Sequence, residues 1–367
     1  MDHGKSTMES VVNLVNMMSF WQKKRVLITG HTGFKGSWLS LWLQLLKAEV
    51  IGFALPPPTN PNLFTLAQIA NGMTNLIGDI RDYSSINNVI NQYKPEIIIH
   101  MAAQPLVRYS YNNPVETYTT NVMGTVHLLE AARLTNTIKA IVNVTTDKCY
   151  QNNECQIGYR EDDSLGGFDP YSNSKACSEF VTSAYRHSYF NQNNVGLASA
   201  RAGNVIGGGD FAADRLIPDI IRSYINRTPI LIRYPNAVRP WQHVLEPLKG
   251  YLLLAQRLYE SPMQYSESFN FGPSDSEIKP VRWIIDYINR YVGDEIQWMQ
   301  DENFIFYETS YLKLNCSKAR ERLGWQSHWN LEKGLHATID WYQAYQKHEN
   351  VKNVMIEQIE NFMNEKF

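Results

Sequence analysis

At 367 residues the chain is long for one hydrophobic core, so a large domain carrying a smaller one is expected. Its 34 basic and 36 acidic residues nearly cancel, which leaves no electrostatic footprint for nucleic acid or for a polybasic membrane contact. The four cysteines, Cys149, Cys155, Cys177 and Cys316, show no CxxC spacing, so neither a metal site nor a disulfide framework is expected, and reduced thiols in a cytoplasmic protein are.

Along the chain, residues 1–19 read as a loosely tied extension upstream of a natural start near Met18. DHGKST (2–7) resembles the end of a phosphate-binding loop, but such a loop needs a preceding strand and an earlier glycine. No signal peptide is expected, and no apolar run reaches the roughly 18 residues of a membrane helix. RVLITG (25–30) then begins an alternation: a helix over 33–47, strands at 49–55 and 74–80, a helix over 83–93, a strand at 96–100, a helix over 114–135, a strand at 139–146, a helix over 171–190 and a strand at 195–201. The strands are unbroken apolar runs, the pattern of a parallel sheet covered on both faces. The expected fold class is therefore α/β, a doubly wound parallel Rossmann sheet over residues 20–203 with a smaller C-terminal substrate-binding domain. Residues 204–329, with shorter and irregularly spaced elements, are expected to be mainly that substrate-binding domain, with segments returning to the sheet. Residues 330–367 read as two helices.

GHTGFKG places Gly30, Gly33 and Gly36 directly after the first strand and at the opening of a helix. Glycine there allows a tight turn and close approach of a pyrophosphate to the helix N-terminus. Alone the set is only a turn; at the first turn of an alternating fold it points to a dinucleotide. The GxxGxxG spacing resembles the extended short-chain dehydrogenase/reductase superfamily. The acid expected at the end of the second strand is missing, because the position falls on Ala54 while Glu49 comes too early. No Arg or Lys stands there for a 2′-phosphate, so NAD is expected in preference to NADP. By the same resemblance Asp79 in GDIRD contacts adenine, whereas Asp82 fits a helix N-cap; Thr32, Phe34, Ile80, Ala102 and Ala103 are also implied as cofactor contacts.

YSNSK sets Tyr171 and Lys175 four apart on one helical face. A phenol with a pKa of about 10 is a poor base at neutral pH, and a nearby ammonium lowers the cost of the phenolate. In this superfamily Tyr171 deprotonates a sugar hydroxyl while Lys175 also holds the nicotinamide ribose. TTDKCY (145–150) adds Thr146, which with the tyrosine handles the hydroxyl, and an acid beside an amine. Removal of water from a 4-keto sugar needs such a second pair: Asp147 to protonate the departing 6-hydroxyl, and a partner for the C5 proton. Lys148 either abstracts that proton as a neutral amine, or stays charged, keeps Asp147 ionised and stabilises the enolate; an amine merely reaching water is the bland alternative.

Here the chain resembles the CDP-D-glucose 4,6-dehydratase family, nucleotide-sugar dehydratases that carry Asp-Lys where relatives carry Asp-Glu. The likeness runs from about residue 20 to 325 through GHTGFKGSWL (30–39), HMAAQPLVRYSY (100–111), GGFDPYSNSK (166–175), RAGNVIGGGDF (201–211), DRLIPDIIR (214–222) and RPWQHVLEPLKGYL (239–252). Asn315, where Asp is usual, departs from it away from the implied chemistry. The resemblance implies NAD-dependent dehydration of CDP-D-glucose to CDP-4-dehydro-6-deoxy-D-glucose in deoxysugar biosynthesis: oxidation at C4, elimination across C5 and C6, and hydride return to C6. It places Gln104 and Arg108 beside the hexose, Asn204 at the nucleotide, and Arg215 and Arg239 at the diphosphate, the last two also readable as surface ion-pair arginines. Trp241 reads equally as core or base platform, and His100 as structural. A homodimer or homotetramer built on the helices over 114–135 and 171–190 is expected. The alternatives are a 4-epimerase, a dehydratase for another nucleotide sugar, and an NAD-sensing regulator without catalysis.

Overall fold

A computed structural model describes residues 19–154, 156–293, 296–301 and 310–365; the expected extension, DHGKST and Cys155 lie outside them. The alternation folds as strand β1 (Arg25–Thr29), helix α1 (Phe34–Leu45), β2 (Glu49–Ala54), β3 (Thr74–Ile77), α2 (Tyr83–Tyr93), β4 (Ile97–His100), α3 (Gly124–Arg133), β5 (Ala140–Val144), α4 (Pro170–Tyr185) and β6 (Gly196–Ala202). Further on come α5 (Leu216–Asn226), α6 (Leu245–Glu260), β7 (Ser268–Phe271), α7 (Val281–Val292), α8 (Leu331–Gln346) and α9 (Val351–Asn364).

The seven strands form one sheet in the order β3-β2-β1-β4-β5-β6-β7, and every neighbouring pair is parallel. Successive residues explain the apolar runs. Val26, Ile28, Ile97, Ile99, Ala140 and Val142 join one core, with Trp38 and Trp42 of α1 and Leu248 and Leu252 of α6. Leu27, Ile98, Ile141 and Leu197 join the other, under Ile86 and Ile90 of α2 and Leu128 and Leu129 of α3. With both faces of the inner strands buried, polar alternation is left only at the edge, where β3 alternates between half-buried and exposed positions. The chain reverses direction across the sheet between β1 and β4, and the crevice beyond the carboxyl ends of such strands is where doubly wound folds bind ligands.

The helix expected over 114–135 is continuous but contains a π turn, Thr119–Met123, between Pro114–Tyr118 and α3. That turn carries Asn121 inward, where its amide donates to Gln104 O at 3.0 Å and Ser174 Oγ at 2.9 Å. A short helix, Val107–Asn112, was not expected after β4. In the region 204–329, α6 and β7 return to the sheet, β7 pairing with β6. Two helices, α8 and α9, follow, and α9 docks on α1, with Trp42 Nε1 donating to Met363 Sδ at 3.2 Å.

Candidate active site

The turn after β1 is closed by contacts that only glycine permits. Gly30 has φ +77°, and a Cβ there would lie 2.8 Å from the Ala102 amide; a Cβ on Gly36 would lie 2.1 Å from Gly30 O. α1 begins without a side-chain cap and without an acid in its first turn, so its N-terminal amides remain available to an anion. Gly33 is the N-cap residue, and Phe34 opens the helix. Thr32 is buried and donates to Leu55 O at 2.8 Å, tying the turn to the end of β2. β2 ends at Ala54, with no acid at its tip. Asp79 is held by Arg81 in a 2.6 Å ion pair, and the Arg81 hydrogen bonds keep its carboxyl below the usual range. Ile80 is buried against Gly124, and Ala102 and Ala103 lie half-buried just beyond β4. The turn, the uncapped helix and the close backbone approach fit a dinucleotide pyrophosphate; the ribose end offers no second carboxylate at β2. Asp82 caps α2 through the Ser84 amide at 2.9 Å. His100 is structural: Nδ1 lies 2.7 Å from Thr29 Oγ1, and burial holds the imidazole neutral, down to about 3.

The expected proton-transfer groups meet at the carboxyl ends of β5 and β6. Thr146 caps a 3₁₀ turn, Asp147–Cys149; its Oγ1 accepts from the Lys148 amide at 3.3 Å and donates to Asp147 Oδ1 at 3.0 Å. Asp147 is only 2% exposed, and its Oδ2 is buried without a hydrogen-bond partner. Burial pushes this carboxyl up to about 6, against the opposing pull of the Lys148 charge, the Thr146 hydroxyl and Arg239. Lys148 itself is half-buried. Asp169 caps α4 through the Ser172 amide at 2.9 Å and Pro170 occupies the first turn, which fixes Tyr171 and Lys175 on the inward face. Burial raises the Tyr171 phenol to about 12, while the facing Thr146 side chain and Arg215 act to lower it. Lys175 Nζ donates to Val144 O at 3.2 Å; burial brings it down to about 8, with the Glu179 charge resisting.

A cavity of about 640 Å³ opens over these groups, lined by Thr146, Asp147, Lys148 and Tyr171 and extending past Phe34, Arg108, Asn204, Arg215 and Arg239. Lys175 lies beneath the lining. Arg215 is steadied by Asp210 at 2.8 Å, Arg108 pairs with Asp214 at 2.6 Å, and Arg239 is buried and donates to Val238 O at 3.0 Å. Trp241 belongs both to the core and to the cavity wall. Gln104 lies outside the cavity lining: its amide donates to Thr117 Oγ1 at 2.9 Å and its carbonyl accepts from the Leu106 amide at 2.5 Å, so it shapes the loop while residues 105–108 line the cavity. Among the described residues no group of three or more metal-ligating side chains is placed to hold a metal ion.

Two features escaped sequence reasoning. Lys35, inside the glycine motif, lines the cavity, and its amine falls to about 7 through burial and repulsion from Lys175 and Arg215. Glu179 and Arg201 form a buried ion pair at 2.8 Å behind Lys175; the available signal was a glutamate four residues beyond YSNSK on the same helical face.

The chain matches the family model described as GDP-mannose 4,6 dehydratase over residues 27–338. It is 53% identical over 350 residues to a CDP-glucose 4,6-dehydratase of Salmonella typhimurium, covering 94% of this chain and 98% of that one. Among solved structures, a dTDP-glucose 4,6-dehydratase of Bacillus anthracis in complex with NAD shares the fold with a TM-score of 0.73 and 23% identity, over 89% of this chain and 98% of that one. An epimerase of Methanothermobacter thermautotrophicus does so with a TM-score of 0.79 and 22% identity, over 91% and 96% of the two chains.

Proposed function

The chain belongs to the GDP-mannose 4,6 dehydratase family, and from that membership we propose that it is an NAD-dependent CDP-D-glucose 4,6-dehydratase, yielding CDP-4-dehydro-6-deoxy-D-glucose. The observation that carries the reading is Asp147: an enclosed carboxyl, raised to about 6 and with one partnerless oxygen, on the floor of a cavity shared with Tyr171 and Lys148. A simple oxidation or epimerisation at C4 has no use for a carboxyl raised toward neutral pH there. Loss of a C6 hydroxyl does.

NAD, which the Gly30–Gly36 turn would hold, would accept the hydride from C4 and return it to C6, so that the reaction has no net redox change. Tyr171, assisted by Thr146, takes the proton of the C4 hydroxyl, and Lys175 would hold the cofactor ribose. The C4 ketone acidifies C5. Asp147 gives its proton to the 6-hydroxyl as water leaves, and Lys148 faces the C5 proton, as base or as the charge that stabilises the enolate. Arg215 and Arg239 neutralise the diphosphate, with Arg108 at the hexose and Asn204 at the nucleotide. Residues 204–329 would thus form most of the nucleotide-sugar-binding part, and 20–203 the cofactor-binding part. The exposed Val115, Met123 and Phe180 on the helices over 114–133 and 170–185, with Leu134 at the cap of the first, support at least a dimer in the cytoplasm, which light scattering would measure.

The deciding experiment is incubation with NAD and, separately, CDP-, UDP-, dTDP- and GDP-glucose, read by mass spectrometry. Loss of one water from CDP-glucose alone is expected. Loss from another nucleotide sugar would reassign the substrate, and retention of the 6-hydroxyl in every product would overturn the dehydratase reading.

A further inference from the structure

Tyr171, Lys175 and Glu179 follow one another at four-residue spacing on α4 and so share a face of that helix. The first two serve the proposed reaction; the third lies deeper, with its side chain 2% exposed. Glu179 Oε1 accepts from Thr145 Oγ1 at 2.5 Å. Its Oε2 accepts from Ser199 Oγ at 2.6 Å and Arg201 Nη2 at 2.8 Å, both on β6. Arg201 then reaches back, its Nη1 donating to the Tyr150 hydroxyl at 2.8 Å. Thr145 and Tyr150 are the two ends of the turn that carries Thr146, Asp147 and Lys148. One buried ion pair therefore grips both ends of that turn and fastens it to the helix bearing Tyr171 and Lys175.

Such a pair has no obvious reason to exist for stability alone. Desolvation of two charges commonly cancels their attraction, and an apolar pair of similar volume does as well or better. What a network in which both carboxylate oxygens and both terminal guanidinium nitrogens are engaged does supply is a single geometry, with only Arg201 Nε left without a partner. We propose that Glu179 is a positioning residue for the dehydration: with Arg201 it clamps the 145–150 turn against α4 and sets the spacing between Thr146 and Asp147 on one side and Tyr171 and Lys175 on the other. The proposal rests on the function inferred above.

Glu179 is also the carboxylate that acts most strongly on Lys175. The other groups around that amine are Cys149 on the turn, Lys35 on α1 and His100 on β4; His100 is neutral, and Lys35, its own amine brought down to about 7, is uncharged over the alkaline limb. Removal of the carboxylate moves Lys175 further down, so activity that needs the ammonium is lost at lower pH.

The test uses the full chain with NAD and the nucleotide sugar that the wild type dehydrates. In Glu179→Gln, kcat is expected to fall about 100-fold, the loss that a misplacement near 1 Å causes, with KM little changed. The alkaline limb of the kcat profile moves down by about one pH unit, and Glu179→Asp, which restores the charge, brings the limb back. If the orphaned Arg201 prevents folding, Glu179→Gln with Arg201→Met removes the orphan and is expected to show the same loss and the same displaced limb. A folded variant with the wild-type limb overturns the proposal, as does a limb that Glu179→Asp fails to restore. Amide hydrogen exchange over 145–150 separates the two readings: it rises about tenfold or more in Glu179→Gln while α1 stays protected. Unchanged exchange refutes the clamp even if the wild type dehydrates no nucleotide sugar, an outcome that would overturn the function alone.

Discussion

The two ends of the candidate site are built from different materials. The Gly30–Gly36 turn is a backbone device, in which what matters is the absence of side chains and the orientation of amides at the start of α1. The 145–150 turn with α4 is a side-chain device, in which burial tunes a carboxyl, a phenol and an amine. The first should fail sterically and at every pH; the second should fail chemically and in a pH-dependent way. Gly36→Val tests the first with the largest effect expected. Its Cβ would lie 2.1 Å from Gly30 O, so NAD binding, followed by fluorescence quenching, should be abolished. Retained binding would mean that the turn is not the cofactor cradle.

Asp147→Asn probes the other end. An amide cannot donate the acid proton, so kcat should drop by about 10²–10⁴, the usual contribution of a general acid, while NAD binding stays as in the wild type. Joint loss of both would erase the proposed division between the two ends. Lys148→Met comes next. The Lys148 charge holds the Asp147 carboxyl down, so its removal lets that carboxyl rise and shifts the pH profile upward. If Lys148 acts only by setting the Asp147 carboxyl, kcat at the new optimum survives; if it is the base or the charge that stabilises the enolate, kcat falls at every pH.

The same carboxyl carries a stability consequence of opposite sign. Asp147 is raised in the folded chain from 3.8 to about 6, so the protonated form favours folding: this contribution is full below about pH 4 and is lost as pH climbs through 6. The shift corresponds to an energy on the order of 3 kcal/mol at pH 7. Asp147→Asn should therefore raise the Tm at pH 7 and leave it nearly unchanged at pH 4. A variant that is inactive yet more stable is the signature of a group kept for chemistry; a lower Tm at pH 7 would show that the carboxylate is better solvated than its burial implies.

Much of this was legible in the sequence because it was local. Strands buried on both faces leave unbroken apolar runs, and YSNSK and TTDKCY each occupy a single element, so their members had to lie together. What remained hidden depends on partners far along the chain. Gln104 was expected at the hexose, and nothing local announces that Thr117, 13 residues on, accepts from its amide. Lys35 was passed over because its motif was read for glycines, and only the fold turns that residue toward Lys175 and Arg215. The Glu179–Arg201 pair needs β6 beside β5, and the Val107–Asn112 helix has no apolar periodicity to announce it.

The smallest effect separates binding from chemistry at the mouth of the cavity. Arg108 and Asp214 meet at 2.6 Å with side chains 45% and 39% exposed, a geometry that in water contributes about 0–1 kcal/mol and weakens with salt. Asp214→Ala should consequently leave the Tm almost unmoved. Arg108 would lose one of its partners, and because its proposed role is to bind the hexose rather than to move a proton the cost should fall on KM for the nucleotide sugar, a few-fold, with kcat preserved. Raising the ionic strength should reproduce part of that change in the wild type and none in the variant. A fall in kcat instead would place Arg108 among the side chains that act on the reacting sugar, and would extend the pH-tuned end of the site to the cavity mouth.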